Sequence, residues 1–422
     1  MALNSVTGKS AVSPAEVSML FARVAAGNGY AGKKVLAIFP DHTRSGPVPI
    51  MFRAFCDHIG PQAARLDFLI ALGTHPAMSD AMIEDHFGIT AAERTGKYGK
   101  HRIFNHAWDS PSENSQIGLL RKGEIERISQ GLMSEEVPIR INKKVLEYDI
   151  LAVCGPVFPH EVVGFSGGNK YLFPGIAESE IINFFHWLGA LITNPKIIGT
   201  KNTPVREVVD LCAAMLKQPI HAFCYVVNKS DIHGLFAGES REAWSAAADL
   251  SSTLHIRYLD KPFNTVLSCA PKMYDDLWTA GKCMYKLEPV VADNGTLIIY
   301  APHVEEISYT HGKVLDAIGY HTRDYFAKQM DLFAGVPRGV MAHATHVRGI
   351  GTFENGIEKP RITVVLSSKV PEERCKRIHL GYLDPASVRV SDYINKEDQG
   401  VLYVEKAGET LYKLKNPPEW QA

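Results

Sequence analysis

Three short apolar runs, each ending in a polar loop, restrict the fold of this chain more than any other feature. The runs are Val35–Phe39, Phe68–Leu72 and Ile150–Cys154. Runs of this length are typical of parallel strands buried on both faces. Stretches with an apolar stripe at helical spacing alternate with them, namely Pro14–Ala26 with Ser13 as N-cap, Pro49–His58, Ser79–Phe87 and Glu178–Ile192. This alternation predicts an α/β fold with mostly parallel sheets.

The length of the chain predicts more than one domain. At 422 residues it exceeds the size of about 250–300 residues at which a single core usually stops growing. The charged, proline-containing segment Tyr258–Pro262 is typical of a linker. We therefore expect two α/β domains, residues 1–260 and 261–422, with the last segment able to pack back on the first domain. The second domain is predicted from three strands and one helix, Thr265–Cys269, Gly295–Tyr300, Arg361–Leu366 and Asp275–Val291.

Composition excludes several classes of function. The net charge is −1, so no overall field attracts nucleic acid or an anionic membrane. The seven cysteines form no CxxC pair, which is typical of reduced thiols in the cytoplasm. No apolar stretch reaches the roughly 18–20 residues of a membrane span, and the first residues lack the pattern of a secretion signal. We expect a soluble cytoplasmic protein without nucleic-acid or membrane partners.

A glycine-rich loop carries the strongest functional signal. It reads Gly164-Phe165-Ser166-Gly167-Gly168-Asn169-Lys170. His160 precedes Lys170 by ten residues, and His186 follows it by sixteen. Such a loop gives an anionic or planar ligand close access to the backbone, a lysine amine can form a covalent tether, and histidine binds metals or transfers protons. Each feature alone also fits a surface turn with unrelated histidines, whereas the combination indicates one site.

Two further polar loops follow the first two apolar runs. One contains Asp41-His42-Thr43-Arg44 and the other contains Leu72-Gly73-Thr74-His75. Ligands collect beyond the carboxyl ends of strands in open α/β sheets. We therefore expect these loops and His160 to converge on one active-site crevice between the two domains.

With these residues together, the chain resembles the family of lactate racemases that depend on a nickel-pincer nucleotide. The resemblance spans most of the chain and is most specific in the glycine-rich loop, in its spacing to both histidines and in Leu72–Pro76. It implies an isomerase, a racemase or epimerase that inverts C2 of a 2-hydroxy acid through a 2-oxo acid intermediate. The first domain would then bind the cofactor and perform catalysis, with cofactor-biosynthesis proteins as partners.

The resemblance also assigns the cofactor ligands. The cofactor is the nickel-pincer nucleotide, Ni(II) pyridinium-3,5-bisthiocarboxylic acid mononucleotide, and Lys170 is expected to hold it through a thioamide. His186 is expected to bind nickel, which accepts a planar set of sulfur, carbon and imidazole donors. The phosphate is expected on Ser166 and on the backbone amides of Gly167 and Gly168.

His75 and His160 resemble the acid/base pair of the family. Removing a proton from C2 is difficult because that carbon is weakly acidic, whereas removing hydride together with the hydroxyl proton leaves a stable ketone. Two histidines suit this reaction, because one on each side of the substrate can accept the hydroxyl proton of either enantiomer. The tethered cofactor would store the hydride and return it to either face. The alternative for each histidine is a structural role.

Substrate binding is assigned to four side chains. Arg44 and Lys282 are expected to bind the carboxylate, the guanidinium through two parallel hydrogen bonds and the ammonium as a point charge. Asp41 either orients one of these cations or binds the nucleotide, with a strand-end cap as the alternative. Trp278 and Thr279 stand where the lactate enzymes have tyrosine and glutamine, so we expect a substrate larger or more polar than lactate.

Other departures and alternatives remain. Ser45 and Gly46 separate Arg44 from the proline-rich segment that should follow it directly. The segments Asn105–Asp109 and His343–Arg348 are further polar clusters that could reach the crevice. One alternative function is a metal-dependent hydrolase with His75, His160 and His186 around zinc. Another is a non-catalytic protein that stores or delivers the cofactor.

Overall fold

The computed structural model describes residues 1–8, 11–27, 29–44 and 46–421. The chain forms two compact units, each assembled from separate stretches of sequence. The first unit comprises Met1–Phe158, Phe165–Ile182 and Arg206–Leu254, and the second comprises Pro159–Gly164, Asn183–Val205 and His255–Ala422. The chain therefore passes between the units more than once, and its last passage lies between Leu254 and His255.

The strands are β1 Asn4–Thr7, β2 Lys34–Pro40, β3 Arg65–Ala71, β4 Ile103–Asn105, β5 Asn114–Leu120, β6 Val137–Asn142, β7 Ile150–Pro156, β8 Pro159–His160, β9 Gly164–Phe165, β10 Ile220–Asn228, β11 Asp231–Glu239, β12 Ile256–Leu259, β13 Phe263–Cys269, β14 Val291–Ala301, β15 Gly351–Glu354, β16 Ile357–Pro360, β17 Thr363–Ser368, β18 Gly381–Tyr382, β19 Val401–Val404 and β20 Leu411–Leu414.

The α-helices are α1 Pro14–Gly27, α2 Val48–Ala54, α3 Asp80–Phe87, α4 Ala91–Thr95, α5 Lys122–Ile128, α6 Ser179–Ile192, α7 Asn194–Ile197, α8 Pro204–Ala214, α9 Ser240–His255, α10 Leu277–Ala280, α11 Lys282–Tyr285, α12 Gly312–Ile318, α13 Arg323–Ala327, α14 Arg338–Arg348 and α15 Glu372–Arg377.

The first unit contains a seven-stranded sheet in the order β1-β11-β10-β7-β2-β3-β4. Strands β10, β7, β2, β3 and β4 are parallel, and β11 and β1 add antiparallel strands at one edge. The three apolar runs of the sequence are the adjacent strands β7, β2 and β3, as predicted. Pro40 pairs with Ala71, so the loops that follow β2 and β3 begin side by side.

An aromatic core covers one face of this sheet. Val35, Ala37 and Phe39 of β2 belong to it, and the Phe39 ring centroid lies 5.6 Å from the centroids of both Phe55 and Phe68. Full burial of one such side chain stabilises the fold by about 1.5–3 kcal/mol. The core thus fixes the strands whose ends carry Asp41 and His75.

The second unit contains a five-stranded sheet in the order β18-β17-β14-β13-β19. All of its neighbouring strands are parallel. The predicted α/β class with mostly parallel sheets is confirmed.

Local signals explain where the predicted helices begin. The Ser13 hydroxyl accepts a hydrogen bond from the Glu16 N–H at 3.3 Å, and the Glu16 carboxylate accepts one from the Ser13 N–H at 2.8 Å. This reciprocal pair caps α1 as predicted. Helix α2 begins one residue earlier than predicted and continues as the π-helical turn Phe55–Ile59.

One prediction for the second half of the chain is wrong, and another agrees with the structure only in part. The single helix predicted for Asp275–Val291 is instead α10, α11 and a 3₁₀ turn at Glu288–Val290. Gly281 separates the two short helices, and Pro289 lacks the N–H that a continuing helix needs. Part of the predicted linker is the strand β12, which pairs with β20.

Candidate active site

A buried carboxylate holds the imidazole of His75. Asp41 directly follows β2, and its carboxylate accepts hydrogen bonds from His75 Nδ1 and, at 2.7 Å, from the Thr43 hydroxyl. Burial alone would raise the pKa of Asp41, but the charges of His75 and Arg44 and these hydrogen bonds lower it below its ordinary value. Asp41 is therefore a carboxylate at neutral pH.

This pairing decides the tautomer of His75. A carboxylate can only accept hydrogen bonds, so the proton of the neutral ring lies on Nδ1 and the lone pair on Nε2. The His75 side chain is 28% exposed, and an accessible Nε2 lone pair is what a general base requires. Asp41 thus contacts His75, a partner that the sequence analysis did not name.

Arg44 lies in the same loop. Its backbone N–H donates to the Asp41 carbonyl at 3.3 Å, and its guanidinium is one of the charges that lower the Asp41 pKa. Ser45, which separates Arg44 from the following prolines in the sequence, lies outside the described residues.

Side chains from two helices hold the backbone of the glycine-rich loop. The Arg206 guanidinium of α8 donates to the carbonyls of Phe165 and Gly167, and the Trp244 indole N–H of α9 donates to the Ser166 carbonyl at 2.9 Å. The guanidinium also lies over the Trp244 ring at 4.0 Å. Three consecutive carbonyls are thereby fixed by two side chains.

The Ser166 hydroxyl ties the loop to the end of β7. It donates to the Pro156 carbonyl at 3.0 Å and accepts from the Phe158 N–H at 2.9 Å. The single proton of this buried hydroxyl is thus donated to a backbone carbonyl, so in this arrangement the hydroxyl has a structural role and does not donate to the phosphate predicted for it.

Glycine is required at two positions of the loop. Gly167 and Gly168 have φ angles of +85° and +58°, which favour glycine. A Cβ atom on Gly168 would lie 2.8 Å from Trp244 Cβ, and one on Gly167 would lie 2.6 Å from Val157 Cγ2. The loop can pack against Trp244 only without side chains at these positions.

Both neighbours of Lys170 are also fixed. The Asn169 amide donates to Asp210 at 2.9 Å and accepts from the Ser240 hydroxyl at 2.5 Å. Tyr171 packs against Gly155, where an added Cβ would lie 2.3 Å from the tyrosine ring. Lys170 itself stands on the 3₁₀ turn Gly168–Tyr171. A rigid backbone therefore presents this lysine.

His160 belongs to the second unit and has a different environment from His75. Its Nδ1 lies 3.1 Å from the Val162 backbone nitrogen, whose N–H donates to it, and 3.3 Å from the Glu161 carboxylate. The amide favours an unprotonated Nδ1, whereas the carboxylate favours a protonated one. We assign the amide hydrogen bond to the neutral ring, because an N–H cannot donate to a nitrogen that carries a proton.

His186 lies on α6, in the part of the helix that belongs to the second unit. A positive charge on His186 lowers the pKa of His343 and His346 of α14. Burial lowers the pKa of His346 to about 4 and that of His343 well below its ordinary value. Burial thus favours the neutral form of both of these imidazoles.

The residues predicted to bind substrate in the second unit have local partners. The Thr279 hydroxyl donates to Asp276, 2.9 Å from Oδ1, within the cap of α10. The Trp278 ring stacks on His343 with centroids 4.0 Å apart. Lys282 Nζ lies 4.5 Å from the centroid of the Tyr274 ring.

The two additional polar clusters differ from each other. Both ring nitrogens of His106 have protein partners, the Ala177 carbonyl at 2.9 Å and the Asn142 amide at 3.1 Å. This pattern indicates a structural histidine. His343 and His346 of the other cluster are buried in α14, whereas Arg348 donates to the His379 carbonyl at 2.7 Å.

Sequence reasoning missed Arg206 and Trp244. A charged residue within an apolar stripe is the signal for Arg206, because its neighbours Val205, Val208 and Val209 in α8 are fully buried. A lysine or arginine is almost never fully buried unless it is paired. The Asn169 contacts with Asp210 and Ser240 had no comparable signal in the sequence.

The described residues contain neither a cluster of metal-binding side chains nor a helix that could span a membrane. No three His, Cys, Asp or Glu side chains in the described ranges are arranged to hold a metal ion. Among the same residues, no helix has the length and apolar character needed to cross a membrane.

Comparison with known proteins identifies relatives. Residues 25–198 match the family described as the lactate racemase N-terminal domain. The lactate racemase of Thermoanaerobacterium thermosaccharolyticum is 29% identical over 282 residues, 64% of this chain and 60% of the relative. The lactate racemase of Lactiplantibacillus plantarum is 27% identical over 280 residues, 63% of this chain and 59% of that protein. The alignments thus span about three fifths of these relatives.

Solved structures share the fold over nearly the whole chain. A crystal structure of a Thermotoga maritima protein matches with a TM-score of 0.87 and 30% identity, covering 97% of this chain and 100% of that one. The lactate racemase apoprotein of T. thermosaccharolyticum matches with a TM-score of 0.73 and 19% identity, covering 96% of this chain and 94% of that one.

Proposed function

Because this chain is a homologue of the lactate racemase family, we propose that it is a racemase or epimerase that inverts C2 of a 2-hydroxy acid. The observation that carries this proposal is the Asp41–His75 pair beside β3. A carboxylate-oriented imidazole with its lone pair on Nε2, in a side chain that is 28% exposed, is suited to removing a hydroxyl proton. The relatives' name supports lactate-like 2-hydroxy acids as the substrate class.

The residues present fit a lysine-tethered nickel-pincer nucleotide. Lys170 stands on a turn whose flanking residues are all anchored, so its amine can be presented for a covalent link. His186 offers an imidazole on α6, and nickel requires a neutral nitrogen donor. When bound, this cofactor supplies reversible hydride acceptance from C2. Proteins that make the cofactor are the expected partners.

In this proposal, His75 accepts the hydroxyl proton of one enantiomer at Nε2. The Asp41 carboxylate stabilises the imidazolium that forms and keeps the proton on Nδ1. His160 performs the equivalent step for the other enantiomer once its ring proton lies on Nδ1, where the Glu161 carboxylate can accept the hydrogen bond. Each histidine then returns a proton to the oxygen when the reaction runs in its opposite direction.

Arg44 and Lys282 are proposed to bind the substrate carboxylate. The low pKa of Asp41, to which the Arg44 charge contributes, keeps a negative charge next to the guanidinium. The negative charge of Asp41 orients Arg44, and Asp41 does not change its protonation near neutral pH. Lys282, held over the Tyr274 ring, would add a second positive charge.

To test the proposal, the protein is produced together with the cofactor-biosynthesis proteins and its mass is measured. We expect an adduct on Lys170 with stoichiometric nickel, and inversion of a 2-hydroxy acid. Lys170→Arg keeps the charge and should lose the adduct with its fold intact, whereas Lys33→Arg, at an exposed lysine, should keep it. An adduct and nickel without turnover would support the cofactor-storage alternative. Turnover without an adduct would reject the tether.

A further inference from the structure

The Tyr171 hydroxyl has no role in the function proposed so far. Tyr171 ends the 3₁₀ turn Gly168–Tyr171 and directly follows Lys170. The residue is 8% exposed, and its hydroxyl makes no hydrogen bond within the described part of the chain. Buried polar groups in native proteins are almost always hydrogen-bonded, and exceptions require an explanation. A ligand atom bound at this oxygen would provide one.

The end of strand β7 shows where this hydroxyl lies. A Cβ atom on Gly155 would overlap the hydroxyl oxygen and Cζ of Tyr171, so the phenol ring crosses the strand at this glycine. Strand β7 pairs in parallel with β2, and Val153 lies opposite Ile38. Continued by two residues, this register places Gly155 level with Pro40, the last residue of β2. The hydroxyl therefore lies at the carboxyl end of the sheet, where ligands of open α/β sheets collect.

Two hydrogen bonds connect the same turn to the loop that carries His75. The Gly73 N–H donates to the Gly175 carbonyl at 3.0 Å, and the Gly175 N–H donates to the Lys170 carbonyl at 3.1 Å. All of these residues belong to the first unit. The backbone of Tyr171 is thereby held in a fixed position relative to the proposed tether and to one of the proposed bases.

Two charged side chains also lie near the Tyr171 hydroxyl. Burial raises the pKa of Tyr171, the positive charge of Arg44 lowers it, and the negative charge of Asp41 raises it. The Asp41 carboxylate already accepts hydrogen bonds from His75 and Thr43, whereas Arg44 is proposed to bind the substrate carboxylate. Because the effect of burial is the largest, the hydroxyl stays protonated at neutral pH and can donate a hydrogen bond.

We propose that Tyr171 binds the substrate by donating its hydroxyl proton to the carboxylate of the 2-hydroxy acid, beside Arg44. This inference rests on the racemase function proposed above. A carboxylate has about four positions that accept hydrogen bonds, and a guanidinium that binds it through two parallel hydrogen bonds occupies two of them. The hydroxyl group at C2 remains for His75 and His160, which take its proton.

The test measures the binding of lactate and of propanoate to the cofactor-loaded protein by titration calorimetry. Propanoate has the carboxylate but lacks the hydroxyl group at C2. Tyr171→Phe keeps the ring that packs on Gly155 and removes only the hydroxyl. We expect this variant to bind both acids about 10- to 100-fold more weakly, with the adduct on Lys170 and the nickel content unchanged. KM for inversion should rise by a similar factor, and kcat should change by less than about threefold.

Tyr225 provides a matched control. Its hydroxyl has no hydrogen-bond partner among the described residues, and a Cβ atom on Gly46 would lie 2.5 Å from it. Tyr225 is fully buried, so a ligand cannot reach this hydroxyl in the present arrangement. Tyr225→Phe should therefore bind both acids with wild-type affinity. The same loss of affinity in Tyr225→Phe would overturn the assignment to Tyr171.

Four further outcomes would overturn the inference. Wild-type affinity for both acids in Tyr171→Phe would show that the hydroxyl contacts neither. Weaker binding of lactate alone would place the hydroxyl at the oxygen on C2. Loss of the adduct or of nickel would mean that Tyr171 positions the tether. Binding of neither acid by the wild type would reject a carboxylate site. If the wild type inverts no acid but both affinities still fall in Tyr171→Phe, the proposed function fails and the carboxylate site stands.

Discussion

His75 and His160 have the same proposed task, but the protein holds them differently. His75 Nδ1 faces a buried carboxylate that also receives two hydrogen bonds from Thr43. His160 Nδ1 is shared between a backbone N–H and the Glu161 carboxylate. The first arrangement fixes one tautomer, whereas the second sets two tautomers in competition.

This difference has a chemical consequence. His75 in its neutral form always offers a lone pair at Nε2. When the Val162 N–H donates to Nδ1 of neutral His160, the ring proton lies on Nε2. Nε2 can accept a proton only after the ring proton has moved to Nδ1, where it is donated to Glu161. The two directions of the inversion should therefore respond differently to changes around the two rings.

The largest expected effect is the loss of either ring. His75→Ala and His160→Ala should each lower kcat for inversion by about 10²–10⁴-fold in both directions, because each direction needs one base and one acid. Nickel content, measured by elemental analysis, should stay at the wild-type value in both variants. His186→Ala serves as the contrast, since it should lose nickel. Strong nickel loss in His75→Ala would remove the distinction between acid/base and metal-binding histidines.

The next largest effect concerns the carboxylate behind His75. Asp41→Asn should lower kcat by about 100-fold, because an asparagine amide can also donate and no longer fixes the proton on Nδ1. KM should change much less, and Lys170 should still carry its adduct. A variant with wild-type kcat would show that Asp41 is only a strand-end cap.

A smaller effect is expected from changing Glu161, the carboxylate next to His160 Nδ1. Glu161→Gln should lower kcat about fivefold, corresponding to roughly 1 kcal/mol, and mainly for the enantiomer whose proton His160 accepts. The Val162 N–H still holds the ring in this variant. Rates for the two enantiomers, measured separately by chiral chromatography, test this asymmetry. A loss as large as that of Asp41→Asn, and equal in both directions, would remove the contrast between the two rings.

The smallest effect is on stability as a function of pH. The pKa of Asp41 is lower in the folded protein than its ordinary value, so its contribution to stability is fully present above about pH 4. That contribution disappears as the pH falls through the folded pKa. Asp41→Asn should therefore cost about 1–3 kcal/mol of stability at pH 7 and progressively less below pH 4. Denaturant unfolding at several pH values measures this, and a difference in stability that stays constant with pH would contradict the lowered pKa of Asp41.

Much of the arrangement around His75 could be predicted from the sequence. Apolar runs at strand length give β2, β3 and β7, and the carboxyl ends of parallel strands place Asp41 and His75 in neighbouring loops. The sequence could not identify the Asp41–His75 hydrogen bond, because Arg44 and the nucleotide were equally suitable partners for a carboxylate at that position.

The supports of the Lys170 loop were less predictable. Arg206 and Trp244 are distant from the loop in sequence, and their contacts are with backbone carbonyls. Every residue has such a carbonyl, so the residue types of the loop do not reveal these contacts. The predicted helix at Asp275–Val291 failed for a local reason, since Gly281 and Pro289 outweighed its apolar periodicity. The Trp278 stack on His343 depends on how α10 and α14 pack, which periodicity alone does not determine.

The measurement that tests the central claim most directly uses a 2-hydroxy acid labelled with deuterium at C2. The loaded enzyme is incubated with one enantiomer in ordinary water, and the product is analysed for configuration and label. Hydride acceptance and return, with His75 and His160 moving only the hydroxyl proton, predicts inverted product that retains deuterium at C2. Inversion accompanied by loss of the label to water would show that a proton is removed from C2, and would contradict the account.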